Sequence, residues 1–113
     1  MSPYEPTDST DDEPKCGSIK EALAIIGDKW TGLIIRDLSA GPKRFSELEQ
    51  NLGIGPRTLS QRLESLQECA VISKQQFAEA PPRVEYSLAQ KGEDLLPVLQ
   101  SMAEWGKKHG SGA

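Results

Sequence analysis

From residue 18 onward, apolar side chains return at helical spacing four times, give way to a strict alternation, and then resume helical spacing once more. Ser18-Ile19-Lys20-Glu21 fits a capping box, in which a hydroxyl and a carboxylate each satisfy a free backbone N–H at a helix start. Ile19, Leu23 and Ile26 continue one face as far as Gly27, which predicts a first helix. Trp30, Leu33, Ile34 and Leu38 stand at i, i+3, i+4 and i+8, and Gly41-Pro42 closes this second helix because proline cannot continue it. Ser46-Glu47-Leu48-Glu49 reads as another capping box, opening a third helix of barely two turns in which Leu48 and Leu52 lie one turn apart before Gly53. After Gly53-Ile54-Gly55, Pro56 suits the first position of a fourth helix, where its missing N–H costs nothing; that helix runs to about Cys69.

Val84, Tyr86 and Leu88 then alternate with Arg83, Glu85 and Ser87, the period of a half-buried strand. Residues 71–77 are its expected partner and residues 78–82 the turn between them. Leu95, Leu96, Val98, Leu99, Met102 and Trp105 form a final apolar band, broader than one face of a small core requires, and the surplus points to a partner helix. Pro97 inside the band is expected to kink this helix or to confine its regular part to one side. Three helices, the last two joined by a tight glycine turn, followed by a hairpin and a terminal helix, predict a mainly α (α+β) winged helix-turn-helix. The expected architecture is a three-helix core, a β-hairpin wing, and flanking N- and C-terminal helices, the last of which has apolar surface to spare for a partner.

Charge alters this picture in one place. The chain of 113 residues, enough for one small core, carries a net charge of −4, which argues against indiscriminate polyanion binding. Residues 1–14, however, hold Glu5, Asp8, Asp11, Asp12 and Glu13 with no basic residue, while residues 15–113 carry 13 cations against 12 acids. Residues 1–15 are therefore expected to form a disordered acidic tail, residues 16–108 a near-neutral winged helix-turn-helix domain, and residues 109–113 a flexible C-terminal tail.

Candidate chemistry is sparse. No leader-like segment opens the chain and no apolar run is long enough to span a bilayer, so a cytoplasmic protein without membrane contact is expected. Cys16 and Cys69 lack C-x-x-C spacing, which speaks against a metal site and a disulfide framework. The sole histidine, His109, lies near a glycine-rich end and no phosphate-cradling loop occurs, so neither catalysis nor a cofactor is expected.

What remains is a surface for binding. In the fourth helix Leu59, Leu63 and Leu66 cluster on one side. Arg57 and Gln61 then face directly outward, flanked by Thr58 and Ser60, and Pro56 and Arg62 complete the candidate surface. Arg, Gln, Ser and Thr hydrogen-bond base edges or phosphates, and a helix N-terminus adds free N–H groups and its dipole. Glu64 and Glu68 also face outward and would be repelled by phosphate, so only the first half of the helix can dock. Lys43 and Arg44 before the third helix, with Lys74 and Arg83 on the hairpin, stand where a winged module meets the sugar-phosphate backbone. Taken singly, each reads first as a solvated surface charge and gains weight only by agreeing with the helix-turn-helix order, and any surface helix is polar outside.

The segments GDKWTGLIIRDLSAGPKRFSELEQNLGIGPRTLSQRLESL and APPRVEYSLAQKGEDLLPVLQSMAEWG, spanning roughly residues 16–106 with their neighbours, resemble the HxlR family of bacterial winged-helix transcription regulators. The resemblance implies a homodimer that reads a pseudo-palindromic operator with its two recognition helices, residues 56–69, while the wings touch flanking backbone. It also implies a dimer surface from the first and last helices, including Ile19, Leu23, Ile26, Leu95, Leu99, Met102 and Trp105. Ala89 stands where the family often has a capping Thr, and Ala70 where it commonly has Gly, so the left-handed turn there is expected to be strained or replaced.

Several members of the family sense oxidants or electrophiles through a cysteine just ahead of the first helix, and Cys16 matches that position. A thiol beside Lys15 and a helix N-terminus favours its nucleophilic thiolate. The other reading of Cys16 is an ordinary reduced thiol near the dimer interface, with Cys69 a core residue at a helix end. The expected partners are double-stranded DNA, a second copy of the chain, and an oxidant or small-molecule effector. The alternatives left open are a winged helix used for protein–protein contact, and a regulator controlled by a ligand at the dimer interface.

Overall fold

Gly53, in the left-handed conformation at φ 66°, turns the chain between two helices, and its N–H closes the first of them on the Glu49 carbonyl at 2.8 Å. The structure, a computed structural model, describes residues 13–110, with side chains from residue 18. Around that corner run α1 (Glu13–Ile26), α2 (Thr31–Leu38), α3 (Phe45–Leu52), α4 (Pro56–Glu68), β1 (Ile72–Phe77), β2 (Arg83–Leu88), the single turn α5 (Gln90–Glu93) and α6 (Leu96–His109). The acidic tail expected at the N-terminus and the last three residues lie, up to residue 12 and from residue 111, outside the described residues.

The central element is α2, packed on by α1, α3, α6 and β2. Being covered from several sides, it buries Thr31, Ile34, Ile35 and Leu38 rather than the single stripe expected from Trp30, Leu33, Ile34 and Leu38; Leu33 and Trp30 are half-buried. Leu48 of α3, Leu59, Leu63 and Leu66 of α4, and Val71 and Ile72 complete one continuous apolar core.

Several local expectations need correction. Helix α1 begins at Glu13, so Ser18 lies inside it and is no cap, and the backbone of Cys16 belongs to the first turn rather than preceding it. The Cys16 side chain lies outside the described residues. Helix α3 is capped two residues earlier than the Ser46 box predicted: Arg44 is the N-cap, and the Glu47 carboxylate accepts its backbone N–H at 2.7 Å. Of the two outcomes expected for Pro97, the second holds: it occupies the second position of α6, where no intrahelical N–H is needed, and the regular helix runs on its C-terminal side to His109.

The hairpin pairs Ile72 with Leu88 through Phe77 with Arg83 in antiparallel register. Lys43 adds a one-residue bridge to β2: its N–H donates to the Tyr86 carbonyl at 3.0 Å and its own carbonyl accepts the Tyr86 N–H at 2.8 Å. This ties the start of the helix-turn-helix to the wing. At the other end of α4, the Ala70 N–H donates to Gln67 and the Val71 N–H to Leu66, a Schellman closure that sends the chain into β1. Ala70 keeps the left-handed conformation, at φ 63°, without being glycine.

Candidate nucleic-acid interface

Burial of Leu59, Leu63 and Leu66 fixes the inner side of α4, and the physical consequence is the composition of its outer side. Pro56, Arg57, Ser60, Gln61 and Glu64 are exposed, and Thr58 is half-buried on the flank. Gly55 is the N-cap, Pro56 opens the helix, and no side chain bonds the first-turn N–H groups among the described residues. Those donors, with the positive end of the helix dipole, face outward beside Arg57, and this is the arrangement that suits a phosphate.

The other candidate cations are placed less simply. Arg44 is exposed at the N-cap of α3, and Lys74 is exposed on β1. Lys43 is half-buried, and its ammonium donates to the Asp37 carbonyl at 3.0 Å, near the end of α2. Arg83 lies over the Phe77 ring at 4.0 Å, with Glu79 at 3.1 Å and Glu85 at 3.7 Å. Two carboxylates around one guanidinium leave this corner of the wing net negative. Arg62 is not free like Arg57: it meets Asp28 at 3.4 Å.

Between α4 and the hairpin lies a polar cleft of about 260 Å³ lined by Ser60, Leu63, Glu64, Gln67, Lys74 and Tyr86. It holds one cation and one acid, so it carries no strong field of either sign. Burial pushes the Tyr86 hydroxyl above its ordinary value, keeping it neutral.

Asp28 is a residue that the spacing argument did not single out. Its Oδ1 accepts the N–H groups of Trp30 at 2.8 Å and Thr31 at 2.9 Å, capping α2, and its Oδ2 accepts the Thr31 hydroxyl and Arg62. Burial raises the Asp28 carboxyl, but the Thr31 hydroxyl and backbone N–H, the Trp30 N–H and the Arg62 charge outweigh it, so the group is held below the usual carboxylate value. Its signal was present as an Asp three residues ahead of Thr at a helix start. The link to Arg62, 34 residues away, was not.

The residues assigned to a dimer surface divide in two. Ile19 and Leu23 on α1, and Met102 and Trp105 on α6, are exposed, as is Val98, with Trp105 at 65%. Ile26 is instead buried in the protomer's own core at 7%, and Leu95 and Leu99 pack half-buried against that core. Of α1, therefore, Ile19 and Leu23 remain available to a partner.

A family model described as HxlR-like helix-turn-helix matches residues 25–112. An HTH-type transcriptional regulator of Methanothermobacter thermautotrophicus is 40% identical over 109 residues, covering 96% of this chain and 82% of its own. Among solved structures, the reduced form of the transcriptional regulator YodB from B. subtilis is similar with a TM-score of 0.78 and 33% identity, over 87% of this chain and 97% of that one. The redox regulator HypR in its oxidized form is similar with a TM-score of 0.75 and 32% identity, over 81% and 96%.

Proposed function

This chain belongs to the HxlR-like helix-turn-helix family of DNA-binding transcriptional regulators, and from that premise we propose that it acts as a homodimer, reading a pseudo-palindromic operator through the first half of α4. Proteins of this family and its relatives are regulators, not enzymes. The observation that carries the reading is the split of α4 into a buried leucine side and an exposed side bearing Arg57, Ser60 and Gln61 beside uncapped N–H groups. Arg57 and Gln61 reach base edges, Thr58 and Ser60 the flanking phosphates, and Arg44 and Lys74 the backbone on either side. Affinity for a duplex enriched by the protein from a random pool tests this: it falls steeply with salt if several phosphates are contacted, and a salt-independent affinity would sink the reading.

Dimerisation through α1 and α6 is supported by exposure. The large hydrophobics that stay exposed among the described residues all lie on these two helices, and large apolar side chains concentrated in this way are normally covered. Trp105→Asp converts the dimer to a monomer in sedimentation velocity if α6 is central to the interface; an unchanged mass removes this assignment.

YodB is known in reduced and diamide-treated forms and HypR in reduced and oxidized forms, which favours a redox or electrophile response here, and Cys16 is our candidate for its thiol. Cys69, free and half-buried at the end of α4, is the internal control. Mild oxidant changes DNA affinity in the wild type and in Cys69→Ser but not in Cys16→Ser; identical responses in all three remove the sensor.

A further inference from the structure

We propose that Asp28 is a positioning residue for the DNA-reading helix, and that Arg62, placed by spacing among the candidate DNA contacts, is the strut through which it acts. This rests on the reading of α4 as the helix that meets DNA.

Both oxygens of Asp28 are committed. Three of their four bonds go to the first turn of α2, and Thr31, which supplies two of them, is 1% exposed. The carboxylate is thus held by the most deeply packed helix of the fold and cannot follow Arg62; Arg62 must come to it. The remainder of α4's inner side is leucine, and apolar contact is non-directional, so it resists separation better than rotation. Among the described residues, the Arg62–Asp28 pair is the side-chain bond that joins α4 to another element, here the segment between α1 and α2 that caps α2.

Geometry shows why rotation matters. Arg62 lies one helical turn beyond Thr58 and immediately follows Gln61, on the flank behind the reading face. With a helix radius, side chains included, of about 6 Å, turning α4 by about 20° displaces an outer contact atom by about 2 Å. A displacement of that size breaks a hydrogen bond to a base edge. Asp28 also lines a groove of about 300 Å³ with Ile26, Leu33, Leu99 and Met102, between α1, α2 and α6. The same carboxylate therefore touches the side proposed for dimerisation and the helix proposed for reading.

The test uses the full chain, two duplexes of equal length and a salt series. One duplex is enriched by the wild type from a random pool, and the other is of mixed sequence. Asp28→Asn keeps an acceptor for the α2 backbone but loses the charge, and Arg62→Met keeps the stem but loses the guanidinium. Because both partners are about one-third exposed, the expected loss for each is about two- to fivefold in the ratio of the two affinities. The double variant loses no more than either single one. The salt dependence on the mixed duplex stays that of the wild type, and Arg62→Lys recovers most of the ratio.

Binding is measured where circular dichroism shows each variant folded, and a lost cap alone lowers the melting temperature without moving the ratio. Unchanged ratios overturn the proposal. So does a salt slope reduced by about one in Arg62→Met together with tighter binding of any duplex by Asp28→Asn, which would return Arg62 to phosphate. A wild type that binds neither duplex overturns the reading of α4 and this inference with it, whereas a binding wild type with unaltered variants overturns this inference alone.

Discussion

Helix α4 and the wing both bring arginine toward the proposed DNA side, and they treat it in opposite ways. Arg57 is exposed on α4 with no ion pair among the described residues, next to uncapped backbone donors. Arg83 on β2 is stacked on Phe77 and bracketed by Glu79 and Glu85. Residue type alone made them equivalent. What distinguishes them is whether the fold has already supplied a counter-charge, because a phosphate must then displace a carboxylate instead of water.

The largest effect expected from this contrast is at Arg57. Arg57→Ala reduces discrimination between the enriched and the mixed duplex by about 1–3 kcal/mol, measured as a ratio of dissociation constants. An intact ratio in Arg57→Ala, with a reduced one in Arg83→Ala, would reverse the comparison.

Next in size is the joint between the two regions. Ala70 holds a left-handed conformation where α4 passes into β1, a strain of about 1 kcal/mol or slightly more that glycine does not bear. Ala70→Gly is expected to raise unfolding stability in urea by about 1 kcal/mol while leaving duplex discrimination unchanged. A change in discrimination would mean that the strain itself sets how the helix and the wing are disposed.

A smaller effect sharpens the wing. If Glu79 and Glu85 neutralise Arg83, Glu79→Gln tightens binding to any duplex by about 0.2–1 kcal/mol, and Arg83→Ala weakens it by no more than that. A large loss in Arg83→Ala would show the guanidinium leaving its carboxylates for DNA.

The smallest effect is one of pH and belongs to the proposed support of α4. The Asp28 carboxyl in the folded chain sits below its ordinary value of 3.8. Its stabilisation is therefore complete above the unfolded value and is lost as pH falls through the folded one. Acid unfolding followed below about pH 4 should cost the wild type a few tenths to about 1 kcal/mol more than Asp28→Asn; equal losses would show that the pairing adds nothing.

Much of the molecule was legible where the signal is local. Pro56 opened a helix, Gly53 ended one, and the alternation of Val84, Tyr86 and Leu88 ran along a strand. Leu59, Leu63 and Leu66 correctly marked the inner side of α4, and hence its outer side as well. Capping was less legible: Ser18 and Ser46 had the right side chains but not the right backbone, because α1 starts at Glu13 and α3 at Phe45. Ile26 looked like its neighbours Ile19 and Leu23 until the packing of the fold covered it alone.

By itself, then, the order of residues determined most of the elements, their sequence along the chain and the buried face of α4, since periodicity and turn chemistry act over a few residues. Only the tertiary structure decided which charges remain free for a ligand. Asp28 finds Arg62 34 residues away, and the hairpin register together with its turn gathers Glu79 and Glu85 around Arg83. A Coulomb interaction depends on distance in space, and no spacing along the chain encodes that distance until the core has closed.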